Sequence, residues 1–222
     1  MGEPSEVVFR LFGFLDVTGE VIMMWVLLAL LAGLSLLVTR KLKMRPGRLQ
    51  NAVELGIEKL DGFFGNILGL EDARKYYFFL GSLFIFIIFG NYSGIIPGVG
   101  LTKYIKAPTS SLSVTLGLGA ATFVFLQAAG LKHSTRGYFR RFVSPVAFML
   151  PLLLLDEFIK PASLALRLFG NVFGEETVTE ELYHLLPIGM PVLMMGLSLL
   201  FCAIQAVVFT MLVAIYLKEE LE

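Results

Sequence analysis

The 222-residue sequence is 56% hydrophobic and only 16% charged, with a mean hydropathy of +0.78, whereas a soluble domain carries about 25% charged residues. An ordinary water-soluble globular protein is excluded. The 18 Lys and Arg balance the 18 Asp and Glu, so no positive excess attracts nucleic acid and no such partner is expected. A single cysteine, Cys202, excludes a disulfide framework. Two histidines, His133 and His184, are too few for a His-rich metal cluster and are read as structural.

Residues 1–20 carry Glu3, Glu6, Asp16 and Glu20 with no cationic leader ahead of an apolar core, so no cleavable signal peptide is expected. A bilayer core of about 30 Å takes roughly 20 apolar residues as helix. Uncharged runs of that scale occupy 21–38, 76–102, 107–131 and 182–217, and a fifth, 142–173, is apolar but interrupted by Asp156, Glu157, Lys160 and Arg167. The expected fold is therefore an all-α polytopic membrane protein with about five embedded helices.

The first span is followed by Arg40, Lys41, Lys43, Arg45 and Arg48, and the third by Lys132, Arg136, Arg140 and Arg141; the intervening connection holds only Lys103 and Lys106. Basic loops stay cytoplasmic, which places the N-terminus outside and the Lys218-Glu219-Glu220-Leu221-Glu222 tail inside. Between the first two spans, Val53, Ile57, Leu60, Phe64 and Ile67 recur at helical spacing beside Glu54, Glu58 and Asp61, predicting an interfacial amphipathic helix. The turn formers Asn91-Tyr92-Ser93-Gly94-Ile95-Ile96-Pro97-Gly98 end the second span and link it to the third as a two-helix hairpin. The chain thus divides into 1–48 (outer segment, first span, basic loop), 49–74 (interfacial helix), 75–141 (two-helix hairpin and basic loop) and 142–222 (a long helix pair). No internal repeat is present.

The last two segments are too long to stand upright. From Ile188 to Leu217, after Pro187, an uncharged helix would measure about 45 Å. Confining that length to about 30 Å needs a tilt near ~48°, beyond the roughly 0–40° of ordinary spans. A strongly inclined or broken pair, joined through Glu175, Glu176, Glu180 and Glu181, is expected.

A charge at the centre of a membrane helix costs about 2.5–3.5 kcal/mol on insertion scales. Asp156, Lys160, Ser163, Arg167, Asn171 and Gly174 follow steps of four, three, four, four and three, a polar stripe along one helical face. Asp156 and Lys160 are spaced to neutralise each other. Arg167 has Ser163, Leu164, Gly170 and Asn171 as its helical neighbours and no local anion; its counter-charge is a lipid headgroup, an acid elsewhere in the fold, or a group on another chain. Asp156 and Glu157 lie about 16 Å behind it and Glu175 and Glu176 about 13 Å ahead, as in an ion path whose two acidic stations are kept apart by a cation. Ser198, Cys202 and Gln205 share a face of the final helix, where the Gln205 amide either packs helices or lines a path. Gly170 and Gly174 form a G-x-x-x-G pair that permits close approach of a helix, within this chain or from another.

The run Lys160-Pro161-Ala162-Ser163-Leu164-Ala165-Leu166-Arg167-Leu168-Phe169-Gly170-Asn171 resembles the signature of subunit a of F-type ATP synthases. Asn91-Tyr92-Ser93-Gly94 with Pro97, Pro108-Thr109, Asp156-Glu157, Ile204-Gln205-Ala206 and Tyr216-Leu217 extend the similarity over most of residues 50–222. The resemblance implies a non-catalytic stator, without cofactor or metal, beside a rotating c-subunit ring. Ions enter one half-channel, bind a c-subunit carboxylate, ride the ring and leave by the other. Arg167 matches the essential arginine that faces that carboxylate and separates the half-channels. Asn171, Glu176 and Gln205 match residues lining or supporting the paths, Asp156 and Glu157 an acidic pair on the cytoplasmic path, and Lys160, Gly170, Gly174 and Asn91 supporting positions. Implied partners are the c-ring, the b subunits of the peripheral stalk, the soluble ATPase sector indirectly, and the lipid bilayer, with a bacterial plasma membrane as the setting. The sequence departs from the pattern where relatives carry Asp and Asn after the proline: Ser111 and Ser113 stand there, polar but not titrating. Ser198 replaces a histidine of some members, leaving the step to Glu176 or water.

The rival is a secondary ion or solute transporter with an intramembrane Arg/acid site, which predicts duplicated halves that the sequence lacks. An intramembrane hydrolase lacks its motifs, with neither H-E-x-x-H nor G-x-S-x-G present.

Overall fold

The computed structural model describes residues 7–11, 15–40, 47–95, 107–133, 150–185 and 189–221. Lys41, Lys43, Arg45, Ile96, Pro97, Gly98, Lys103, Lys106, Arg136, Arg140, Arg141 and Pro187, on which the predicted loops and topology rest, lie outside them, as do residues 142–149.

The architecture is an all-α polytopic membrane protein preceded by one small β element that the sequence reading did not anticipate. Strands β1 (Val7–Leu11) and β2 (Leu15–Thr18) pair antiparallel, with Phe9 opposite Val17 and Leu11 opposite Leu15; β-branched and aromatic residues suit this extended pairing. Helices follow as α1 (Gly19–Thr39), α2 (Arg48–Leu68), α3 (Leu70–Ser93), α4 (Leu112–His133), α5 (Leu150–Leu185) and α6 (Gly189–Leu221). Four are long and apolar enough to cross a membrane: α1, α3, α4 and the Val192–Leu221 part of α6. In α5 the charges Asp156, Glu157, Lys160, Arg167, Glu175 and Glu176 interrupt the apolar run. At 36 and 33 residues, α5 and α6 extend about 54 and 50 Å.

The boundaries have local causes. α2 stops and α3 starts at the same residue, Gly69, whose φ of +86° and ψ of 152° is a conformation open to glycine alone. The Gly69 amide closes α2 by donating to the Gly65 carbonyl. The third span does not begin as helix at 107. Pro108 instead opens a single 3-10 turn, Pro108–Ser110, in which Ser110 donates to the Ala107 carbonyl, and α4 follows from Leu112. Pro108, Thr109 and Ser110 are all buried, and the turn packs against α3, α4 and α5.

α6 is the hub, packing against α2, α3, α4 and α5. Its Ala206, Phe209, Val213, Ala214 and Leu217 meet Phe64 and Leu68 of α2, Leu80, Leu83 and Ile87 of α3, Leu126 and Ala129 of α4, and Leu164 and Leu168 of α5 in one buried cluster. The amphipathic face of α2 therefore enters the core only at its C-terminal end; Ile57, on the same predicted stripe, remains exposed. α4 lies tightly along α5 at Gly119. A β-carbon there would stand 2.9 Å from the Pro161 carbonyl oxygen and 3.1 Å from Ala165 Cβ. Contacts from α1 are sparse, and Trp25, Leu30 and Leu37 are exposed along it, an apolar surface suited to lipid.

Candidate ion path

Burial fixes the rotation of α5 about its axis. Pro161, Leu164, Ala165, Leu168 and Val172 face inward, with Leu164 and Leu168 at 1% and 0% exposure. With about 100° between successive residues, Arg167 is turned outward, and Asp156, Ser163, Gly170 and Asn171 are exposed with it. The predicted polar stripe is a surface feature of this chain. Among the described residues no acid pairs with Arg167, and Leu166, Leu197, Leu200 and Ile204 are exposed apolar groups of the same helix pair.

Lys160 does not pair with Asp156, contrary to the simplest reading of their spacing. It reaches across to α6, 2.8 Å from Glu219 Oε2, with Glu157 Oε1 at 3.6 Å and the Tyr216 ring centroid at 5.4 Å. Burial separates the adjacent acids: Glu157 is inside, accepting a 2.9 Å hydrogen bond from Gln127 of α4, while Asp156 is exposed. Gly170 and Gly174 are not a close intramolecular contact; open space surrounds a β-carbon at either. Among the described residues the tightest helix–helix approach is at Gly119, a glycine outside the predicted pair.

Ahead of Arg167 the two long helices are joined by polar pairs. Asn171 Nδ2 donates to Gln205 Oε1 at 2.6 Å, and the Gln205 amide nitrogen, in a residue 3% exposed, has no hydrogen-bond acceptor among the described residues. One turn further, Glu175 is half-buried against α6, where Cys202 Sγ donates to its Oε2 at 3.8 Å. Ser198 and Cys202 are themselves buried. The α6 face predicted from spacing exists, and the acid that meets it is Glu175, one of the two acids placed ahead of Arg167 by sequence but not the one the resemblance singles out.

Glu176 points elsewhere. Its Oε1 lies 3.8 Å from the position of a β-carbon on Gly94, at the end of α3. Buried polar groups gather there: Asn91 at 1% exposure, Ser93, Thr109 and Ser110. Ser93 donates to the Gly90 carbonyl, whereas neither amide atom of Asn91 nor the Thr109 hydroxyl has a hydrogen-bond partner among the described residues. Orphaned buried polar atoms cost about 1–3 kcal/mol each unless water satisfies them. Ser111 is half-buried and Ser113 exposed at the start of α4, and no described hydrogen bond draws either to the polar pairs. His133 is exposed, and the His184 side chain lies outside the described residues.

The arrangement supplies an exposed cation and two differently directed carboxyl groups, with orphaned amides and a hydroxyl near them. The model of the ATP synthase A chain family matches residues 21–218. ATP synthase subunit a of Moorella thermoacetica is 38% identical over 208 residues, covering 93% of this chain and 92% of the relative. The matched region contains every helix from α2 to α5 together with Arg167, and on this basis the chain belongs to the ATP synthase A chain family.

Proposed function

We propose that this protein is the ion-translocating stator, subunit a, of a rotary F-type ATP synthase, forming two half-channels beside a ring of c subunits. The observation that carries the reading is Arg167: a guanidinium on an apolar helix, held outward by Leu164 and Leu168, with no acid of its own chain beside it among the described residues. A cation in such a place calls for an anion from outside, and a carboxylate carried past on a c subunit supplies it.

When that carboxylate arrives, the field of Arg167 favours its ionised form by opposite charge, so the bound ion is released toward one half-channel. The fixed positive charge also opposes cation flow directly between the half-channels. Gly170 and Gly174, open on the surface, let a ring helix approach closely. The outer half-channel begins in the orphaned polar pocket of Asn91 and Thr109 at Glu176, with Ser111 and Ser113 at its mouth, and continues past Ser198 to Gln205 and Asn171. The cytoplasmic half-channel is marked by exposed Asp156 and buried Glu157, with Lys160 tethering that end to Glu219. The c-ring and the b subunits of the peripheral stalk contact the helices in the bilayer, and the soluble ATPase sector is engaged through them. The N-terminus lies outside and the C-terminus in the cytoplasm of a bacterial plasma membrane. The long helices α5 and α6 are inclined to the membrane normal. The subunit has no active site of its own.

The test is Arg167→Ala in the assembled complex. Ion-driven ATP synthesis is abolished while ATP hydrolysis by the detached soluble part continues. Coupled synthesis at the unsubstituted rate in that variant, or purification of the chain as an active transporter with no c-ring, would refute the assignment.

A further inference from the structure

A path from Glu176 toward Arg167 runs from the α3 end, where Glu176 Oε1 approaches Gly94, to the seam between α5 and α6. Glu175 faces that seam. Arg167, Asn171 and Glu175 follow two steps of four along α5, a single ridge on a helix of 3.6 residues per turn. Each of the two polar residues ahead of the arginine meets a partner on the antiparallel α6: Asn171 with Gln205, and Glu175 with Cys202. Ser198, Cys202 and Gln205 are buried at 6%, 3% and 3%, so the α6 side of this ladder is buried while Asn171 stays exposed at its edge. Next to it the Gln205 amide nitrogen is a buried donor with no acceptor among the described residues.

Resting on the reading of the chain as subunit a, we propose that Glu175 is a second protonatable relay of the outer half-channel, receiving protons from the Glu176 pocket and passing them along the Asn171–Gln205 pair toward the carboxylate opposite Arg167. In each cycle the Glu175 carboxylate accepts one proton from the Glu176 side, directly or through water. It then releases that proton toward the Gln205 side and returns to the carboxylate, with no net change in the protein. The adjacent acids, separated by about 100° on the helix, divide the labour: Glu176 takes the proton at the α3 end and Glu175 carries it into the seam. The Cys202 thiol on Glu175 is a soft group that a hard alkali cation does not seek as a ligand, which favours a proton there.

The experiment uses the complete ATP synthase in proteoliposomes, reading passive proton conductance through the membrane sector, ATP-driven proton pumping and c-ring co-purification. Glu175→Gln is expected to lower conductance and pumping at least tenfold with the c-ring retained, and Glu175→Asp to restore part of both. The double variant Ser198→Ala/Cys202→Ala keeps the carboxylate but removes its thiol donor and the neighbouring hydroxyl of the same α6 face, and the midpoint of the conductance–pH profile is expected to move to higher pH. Conductance at the unsubstituted level in a well-assembled Glu175→Gln complex overturns the relay. If that variant fails to assemble, an unchanged pH profile in the double variant overturns it. A conductance that follows Na+ concentration in place of pH does so as well. None of these results touches the stator reading, which stands or falls on Arg167→Ala in the same preparation.

Discussion

Lys160 and Glu219 meet at 2.8 Å across the two longest helices of the protein. Fifty-nine residues separate them in sequence, and their pairing ties the C-terminal end of α6 to the segment of α5 just before Pro161. Lys160 retains 18% of its side-chain exposure and Glu219 48%, so solvent screens the pair substantially. A double-mutant cycle on Lys160→Ala and Glu219→Ala, read from thermal unfolding in mixed micelles, is expected to give a coupling of about 0.5–1 kcal/mol. Lys160→Ala with Asp156→Ala is expected to show additivity. Coupling to Asp156 larger than to Glu219 would contradict the geometry.

The outward position of Arg167 predicts a separation of stability from function. Because no described acid holds it and its neighbours Leu164 and Leu168 keep the helix in place, Arg167→Ala should change the unfolding free energy of the isolated chain by no more than about 0.5 kcal/mol. A loss of several kcal/mol would mean that the guanidinium supports the fold of its own chain.

Asn171 and Gln205 are expected to behave as a unit. Asn171→Leu leaves the buried Gln205 carbonyl oxygen without its donor, and destabilisation of about 1 kcal/mol is expected in the membrane. Replacing both by leucine removes both polar groups and should recover most of that stability while ion conductance stays low. Full conductance in the double-leucine variant would assign the pair to packing alone.

Gly119 is predicted to be the least replaceable glycine of the helix contacts. A β-carbon 2.9 Å from the Pro161 carbonyl oxygen meets backbone on a proline-containing helix, which cannot yield by a side-chain rotation. Gly119→Ala is expected to destabilise by about 1–3 kcal/mol through overpacking and to lower ATP synthesis by displacing α5 with its arginine. Gly170→Ala, with open space around its β-carbon, should leave the isolated chain unaffected and impair only the assembled complex. Circular dichroism melts of both variants, alone and with the c-ring, distinguish the two.

Gly69→Ala places a side chain at a φ of +86°, and the strain is expected to cost about 1–3 kcal/mol. Asn at the same position should cost less, because it tolerates positive φ better than alanine does. Equal stability of the alanine variant would show that the α2–α3 junction relaxes to another conformation.

Much of this protein was legible in its sequence for a simple reason: the bilayer imposes a strict length and polarity rule on every spanning helix, so uncharged runs reveal α1, α3, α4 and α6 without tertiary information. Helical periodicity likewise placed Arg167 and Asn171 on one stripe and Ser198, Cys202 and Gln205 on one face, because i, i+3 and i+4 positions align in any helix. Periodicity says nothing about which face meets which neighbour. Only the packing of Leu164 and Leu168 into the core turned Arg167 outward, sent Lys160 to Glu219 in preference to nearby Asp156, buried Glu157 against Gln127, and brought Glu175 to Cys202 while Glu176 went to the α3 end. The tight approach at Gly119 and the open surface at Gly170 and Gly174 were equally beyond sequence, since a glycine permits contact without determining where it occurs. Those choices depend on how helices α2 to α6 share one core, and that is a property of the assembled fold.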